Sequence, residues 1–246
     1  MFTTALRDKE SILAALQNGK LSLKGQFVNG SNYTFLAEVA VSEGVLRAVY
    51  KPVRGEQPLW DFPAQSLARR EVAAYLVSEA LGWELVPPTV YRKRGPLGAG
   101  SLQWFVEHDP DRHYFTFSDL EKKRLKPVAV FDMLINNADR KAGHILLGEA
   151  DHLWLIDHGI CFHVEDKLRT VIWDFTGQPI PPDLLEDIRR FLALLESPES
   201  PLQTGLRPLL RLAEIRHLAA RARRILENPV FAAPDRHYRT YPWPPV

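Results

Sequence analysis

The stretch NADRKAGHILLGEADHLWLIDHG, residues 137–159, decides how the chain is read. Two short apolar runs, residues 144–147 and 153–156, flank the turn residues GEAD, a pattern that predicts a β-hairpin. In an antiparallel pair the start of the first strand lies beside the end of the second. The loop carrying Asp139 and Arg140 enters the first strand at His144, and Asp157 leaves the second. Asp139, His144 and Asp157 are therefore expected to gather at one end of the hairpin, amid Ile145, Leu146, Leu155 and Ile156. Two carboxylates at the edge of a buried hairpin are unfavourable unless compensated, and a divalent cation is the natural compensation. Phosphoryl transfer needs such a pair. One carboxylate orients or deprotonates the attacking hydroxyl, and the other holds the metal that bridges the phosphates. Arg140 is placed to stabilise the loop or to meet a phosphate. Taken singly each aspartate reads as a surface turn residue; taken together, the strand pairing favours a site.

Upstream, residues 21–27, 33–40 and 45–51 read as an antiparallel meander, with turns at Asn29-Gly30-Ser31-Asn32 and Ser42-Glu43-Gly44. A short helix, residues 11–18, precedes them and stops at Gly19. Exposed backbone N–H groups at Gly30, Ser31 and Asn32 are candidates to cover phosphates, although most such turns only join strands. Lys51, flanked by apolar residues in AVYKP, suits a charge pointed into a cleft; the alternative is an edge-strand lysine that discourages aggregation. Residues 66–82 predict a helix, with Leu67, Val72, Leu76, Ala80 and Ala73, Val77, Leu81 at helical spacing and Gly82 at its C-terminal stop. Glu71 borders its apolar face. Lys51 and Glu71 are expected to form the ion pair that positions phosphates. Residues 86–94 and 101–108 resemble two further strands.

These elements make an N-lobe of five strands and a helix over residues 1–107. The C-lobe, residues 108–246, opens with the capping box Ser118–Glu121 and a helix over 128–136 with Pro127 in its first turn. Two strong helices are expected over 183–195 and 211–227. The fold class is α+β: an antiparallel β N-lobe and a mainly helical C-lobe. The last residues, NPVFAAPDRHYRTYPWPPV, cannot form a regular helix and read as an extended strap or a frayed tail.

Composition sets the outer bounds. The chain has 246 residues, 46% hydrophobic and 25% charged, ordinary values for a globular protein. Its 31 basic and 30 acidic residues give a net charge of +1, so there is no global electrostatic case for nucleic acid. One cysteine, Cys161, forms no intrachain disulfide, which fits a reducing cytoplasm. No stretch reaches the roughly 18–20 apolar residues of a membrane span, and MFTTALRDKE lacks a signal-peptide core. A cytoplasmic location without integral membrane association is expected.

The order of motifs now carries a resemblance. Strand, Gly turn, strand, AVYK, a helix with Glu71, WFVEHD, NADRKAGH and LIDHG succeed one another as in a kinase, and resemble the phosphatidylinositol 3-/4-kinase-like group, in particular its small bacterial members. The resemblance covers roughly residues 21–175. In that group the catalytic loop reads D-R-x-x-x-N and the metal segment is a D-x-G variant; DRKAGH and DHG stand in those places. The resemblance implies ATP and Mg²⁺ or Mn²⁺ as cofactors and a hydroxyl group on a protein, lipid head group or metabolite as acceptor. It implies Lys51 on the phosphates, Glu71 holding Lys51, Asp139 as the catalytic aspartate, and Asp157 as the principal metal ligand. Phe105, Val106 and Glu107 would receive the adenine.

Two departures stand out. His144 replaces the asparagine metal ligand, and imidazole suits Mn²⁺ better than Mg²⁺. The stretch after DHG, FHVEDKLRTVIWDFTGQPIP, lacks the dense basic cluster that reads inositol phosphates. Trp173 and Asp174 are expected either to help form the acceptor site or to anchor their loop. Three other functions remain in view: a catalytically inactive ATP-binding regulator, a nucleotidyl transferase on the same fold, and a metal-dependent hydrolase using Asp139, His144, Asp157, His158 and His163.

Overall fold

The computed structural model describes residues 8–28, 32–42, 44–235 and 239–246. Gly30 and Ser31, two of the expected phosphate-covering residues, lie outside them. Helix α1 (Lys9–Asn18) is capped by Asp8, whose carboxylate accepts the Ser11 N–H. Strands β1 (Leu21–Phe27), β2 (Thr34–Val41) and β3 (Gly44–Pro52) form the expected meander. After helix α2 (Leu67–Leu81), strands β4 (Thr89–Arg92) and β5 (Gly100–Trp104) complete an antiparallel sheet of order β1-β2-β3-β5-β4. Side chains alternate across a strand. In β3, Leu46, Ala48 and Tyr50 therefore pack beneath Ile12 and Leu16 of α1, while Val49 and Lys51 face the cleft.

Helix α2 is buried on almost every side, its polar Arg70, Glu71 and Ser78 included. It lies between the sheet and the helical half. Ala73, Ala74, Val77 and Leu81 join the larger core with Phe131, Leu134 and Phe191. Gly82, at φ 73, adopts the left-handed conformation that ends α2 without a Cβ clash.

The helical half contains α3 (Asp119–Lys123), started by the expected capping box, and α4 (Lys126–Ile135), with proline in its first turn. The hairpin follows as β6 (Ile145–Leu147) and β7 (Leu153–Leu155), then α5 (Pro182–Glu196), α6 (Pro201–Leu206) and α7 (Leu212–Glu227). Helix α6 was not expected: six residues, one of them Gly205, give too short a period to read.

The C-terminal segment packs as a strap. Val230 bridges to Pro179, the Thr240 carbonyl accepts from the Thr170 N–H at 3.1 Å, and the Pro245 carbonyl accepts from the Ala142 N–H at 2.8 Å. Among the described residues no helix is long and apolar enough to cross a membrane.

Candidate active site

The hairpin pairs Ile145 with Leu155 and Leu147 with Leu153, and the Ile156 N–H extends the ladder by donating to the His144 carbonyl at 3.1 Å. The chain beyond Ile156 must therefore turn up beside His144. Asp157 does so at φ 62, a left-handed conformation that non-glycine residues hold only under constraint. Its Oδ2 lies 3.4 Å from His144 Nε2. His144 Nδ1 lies 3.1 Å from the Asp139 carbonyl oxygen. Burial lowers the His144 pKa to about 4, against the pull of Asp157, so the ring is neutral.

Lys51 reaches this point from the sheet. It bonds Asp157 Oδ1 at 2.8 Å and forms a tight ion pair with Glu71. Burial works against its charge, but Asp157 and Glu71 outweigh it and raise the pKa. Burial likewise opposes ionisation of Asp157; the charge and hydrogen bond of Lys51 hold that carboxyl well below its usual range. Glu71 is buried on α2, and desolvation pushes its pKa up despite Lys51. Its second oxygen accepts the His158 N–H at 2.8 Å. The expected pairing of Lys51 with Glu71 is thus present, at the mouth of the site that the hairpin builds.

Asp139 also lines the cleft. Burial raises its pKa to about 6, with Lys141 opposing the shift and Asp157 adding to it. Its backbone is set by Asn137, whose Oδ1 accepts the Asp139 N–H at 2.9 Å and whose Nδ2 donates to Asp132 at 2.9 Å. Asn136, at φ 53, ends α4 and launches this loop.

Arg140 turns the other way. It is 0% exposed and absent from the cleft lining. Its Nε lies 3.1 Å from both Asp132 oxygens, and Nη2 donates to Asp132 Oδ1 at 3.0 Å. Nη1 donates to the Ile156 carbonyl at 3.0 Å, and Nη2 meets His158 Nε2 at 2.8 Å. Of the two roles expected for Arg140, holding the loop agrees with its place. A phosphate contact does not, because the guanidinium is spent on buried partners.

Asp132 and Asn137 are positioning residues that sequence reading missed, and His158, read there only as a possible metal ligand, is a third. The available signal was Asp132 inside the otherwise apolar run 128–135, Asn137 two residues past the helix end, and a histidine beside Asp157. His163 bonds the Asp61 carbonyl and the Glu165 N–H through its two ring nitrogens, and His158 is committed to Arg140. The five-residue hydrolase ligand set is therefore not assembled. Asp174 accepts the Tyr114 hydroxyl at 2.6 Å, and Trp173 meets the Tyr241 ring, so both hold their loop against neighbours.

The cleft has a volume of about 370 Å³. Val49, Leu146 and Ile156 give it apolar walls, and Asn32, Phe105, Val106 and His108 also line it. Asn32 accepts the Gln57 N–H through its side chain. Glu107 does not line the cleft: its side chain is 72% exposed and pairs with Arg47. Among the described residues no three His, Cys, Asp or Glu side chains form a metal cage. The pair Asp157 and His144 does offer one ionised oxygen ligand and one neutral imidazole side by side. That donor set fits a divalent ion sharing its shell with phosphate oxygens and water.

An antiparallel five-stranded lobe over a helical lobe, with a Lys–Glu pair facing two aspartates across the cleft, defines a protein-kinase-like fold. Solved structures with this fold include the Golgi casein kinase with Mn/ADP bound, at TM-score 0.60 and 15% identity, covering 97% of this chain and 80% of that one. A Helicobacter pylori proinflammatory kinase, CtkA, matches at TM-score 0.52 and 10% identity over 88% of this chain and 94% of its own. Residues 64–207 match the family described as Phosphatidylinositol 3- and 4-kinase, and the chain belongs to that family. Protein Rv2133c of Mycobacterium tuberculosis is 41% identical over 97% of this chain and 96% of its own length. Phosphatidylinositol 4-kinase gamma 4 of Oryza sativa subsp. japonica is 29% identical over 70% of this chain, which spans only 36% of the rice protein.

Proposed function

We propose that the chain is a metal-dependent phosphotransferase that passes the γ-phosphoryl group of ATP to a hydroxyl acceptor. The single observation that carries this reading is the joining of Lys51, Glu71, Asp157 and His144 in one contact series, with Asp139 on the same cleft. A divalent ion held by Asp157 and His144 would neutralise charge on the β- and γ-phosphate oxygens. Lys51, steadied by Glu71, binds and orients the phosphates. The backbone at 105–107 and the apolar walls hold the base and exclude water. Asp139, with a pKa near 6, is ionised at neutral pH and accepts the acceptor's hydroxyl proton through a carboxylate oxygen.

The reading is tested with purified protein, ATP and Mg²⁺ or Mn²⁺. Metal-dependent thermal stabilisation by ATP and transfer or release of γ-labelled phosphate are expected, with turnover lost in Asp139→Asn and Asp157→Asn. ATP binding with no turnover under either metal would leave a regulator. Transfer of an α-label would make the protein a nucleotidyl transferase.

A further inference from the structure

Gln103 sits on the cleft face of β5, opposite Val49 on one side and Thr89 on the other. Its side chain lines the cleft yet is only 6% exposed. Its amide nitrogen donates to Thr89 Oγ1 at 2.9 Å, and the Thr89 hydroxyl donates to the Pro87 carbonyl at 2.6 Å. This chain of bonds fixes which way the amide faces. A carbonyl only accepts, so Thr89 must give its one hydroxyl proton to Pro87. Thr89 Oγ1 is then left with lone pairs alone on the side of Gln103, and only the NH₂ end of the amide can meet it. Gln103 Oε1 therefore faces the other way, and it has no hydrogen-bond partner among the described residues. The result is an oriented, unpartnered acceptor on the cleft face of β5, two residues before Phe105.

We infer that Gln103 selects the nucleobase, its Oε1 accepting a hydrogen bond from an exocyclic 6-amino group and so favouring adenine over 6-oxo purines. Guanine and hypoxanthine carry an acceptor at that position, which would set oxygen against oxygen. The inference rests on the nucleotide-binding reading of the cleft and adds a residue and a chemical basis for the choice of base. Val49 and the apolar walls supply contact with any purine, so discrimination falls on the polar edge, where the 6-substituent and N1 change together, and the Gln103 and Thr89 variants isolate the share of the 6-substituent.

Inosine triphosphate differs from ATP only in this edge of the base, and is the probe. Dissociation constants for ATP and inosine triphosphate are measured by calorimetry with the full chain and Mg²⁺, without reference to turnover. The unaltered protein is expected to bind ATP at least about tenfold more tightly, and Gln103→Leu to shrink that ratio by roughly five- to tenfold, the range of one lost hydrogen bond. Thr89→Val leaves Gln103 in place but frees its amide to rotate and present NH₂ to an O6. It should shrink the ratio as well, chiefly by tighter binding of inosine triphosphate. Equal binding of the two nucleotides by the unaltered protein, or a ratio unchanged in both variants while ATP still binds, overturns the role of Gln103 alone. Binding of neither nucleotide overturns the nucleotide reading itself, and this inference with it.

Discussion

The backbone N–H of His158 donates to Glu71 Oε2 at 2.8 Å, so the segment carrying Asp157 is fastened to the helix that carries the partner of Lys51. Glu71 thus has two obligations, one on each oxygen: an ammonium from the sheet and an amide from the metal segment. A neutral isostere cannot meet both. Glutamine at this position would keep one acceptor and turn an NH₂ group toward either Lys51 or His158. Glu71→Gln should lower turnover at saturating ATP by at least about tenfold and weaken ATP binding, measured by steady-state kinetics and calorimetry. Breaking a buried ion pair by removing one partner costs about 3–5 kcal/mol. Glu71→Ala should therefore also unfold at markedly lower denaturant, and unaltered denaturant stability in that variant would contradict the pairing.

The Asp132–Arg140 pair is fully buried, and its bonds hold the loop that bears Asp139. Arg140→Ala leaves the Asp132 carboxylate without its partner, with a predicted loss of about 3–5 kcal/mol. Arg140→Lys should recover little, because one ammonium cannot reproduce the fork that meets Asp132, Ile156 and His158 together. Urea unfolding of the two variants decides this; a lysine variant as stable as the unaltered chain would refute the fork argument.

Asp139 gives a stability signature separate from catalysis. Its pKa is raised from 3.8 to about 6 in the folded protein, first by burial. The native state holds that proton more tightly than the unfolded chain does. The stabilisation from this carboxyl is therefore full below about pH 3.8 and is lost as pH rises through about 6. Asp139→Asn, which never ionises, should be more stable than the unaltered protein at pH 7.5, with the gap narrowing as pH falls below 6. Metal-free thermal unfolding across that range measures it. In the active protein the same group should give kcat/KM an acid limb, losing about tenfold per pH unit below its pKa, with bound metal moving the limb to lower pH.

The proposed place of His144 beside the ion carries an expected metal preference. Replacing it with asparagine exchanges an imidazole for an oxygen ligand beside Asp157. His144→Asn should weaken Mn²⁺ binding in the presence of ADP relative to Mg²⁺, seen by electron paramagnetic resonance titration of Mn²⁺ and Mg²⁺ competition. An unchanged Mn²⁺ to Mg²⁺ ratio would remove His144 from the ligand set.

The strap offers a fourth handle on the catalytic loop. Deleting residues 240–246 takes away the carbonyl that accepts from the Ala142 N–H and the one that accepts from Thr170. Hydrogen exchange at Ala142 should accelerate, and turnover should fall more than ATP affinity. Exchange as slow as in the full chain would show that the loop holds itself.

The gathering of Asp157 and His144 was legible because strand pairing is local: an apolar run, a turn and a second run place their outer ends together whatever surrounds them. The Lys51–Glu71 pair was legible from a polar residue set among apolar ones at strand and helix spacing. Arg140 was only half legible, because adjacent residues in a loop point in opposite directions. Nothing short of tertiary structure says that Asp139 faces the cleft while its neighbour turns to Asp132. Gln103 was hidden for a related reason. Its meaning lies in Thr89 and Pro87, brought beside it by strand pairing and not by sequence distance. Helix α2 was legible as a helix ending at Gly82, but the burial of Arg70 beside Glu71 was not, since a helix packed on both sides has no amphipathic stripe to reveal which residue faces what.

Helix α2 also carries Arg70, the residue before Glu71, which is 1% exposed and forms a buried ion pair with Glu214 on α7 while donating to the Cys161 carbonyl. The helix that steadies Lys51 is thereby riveted to the larger body of the molecule. Lifting the Lys51 strand away from α2 would break the Lys51–Glu71 contact and leave the Arg70–Glu214 pair whole, so the first contact is the gauge of the cleft's opening and the second its fixed reference.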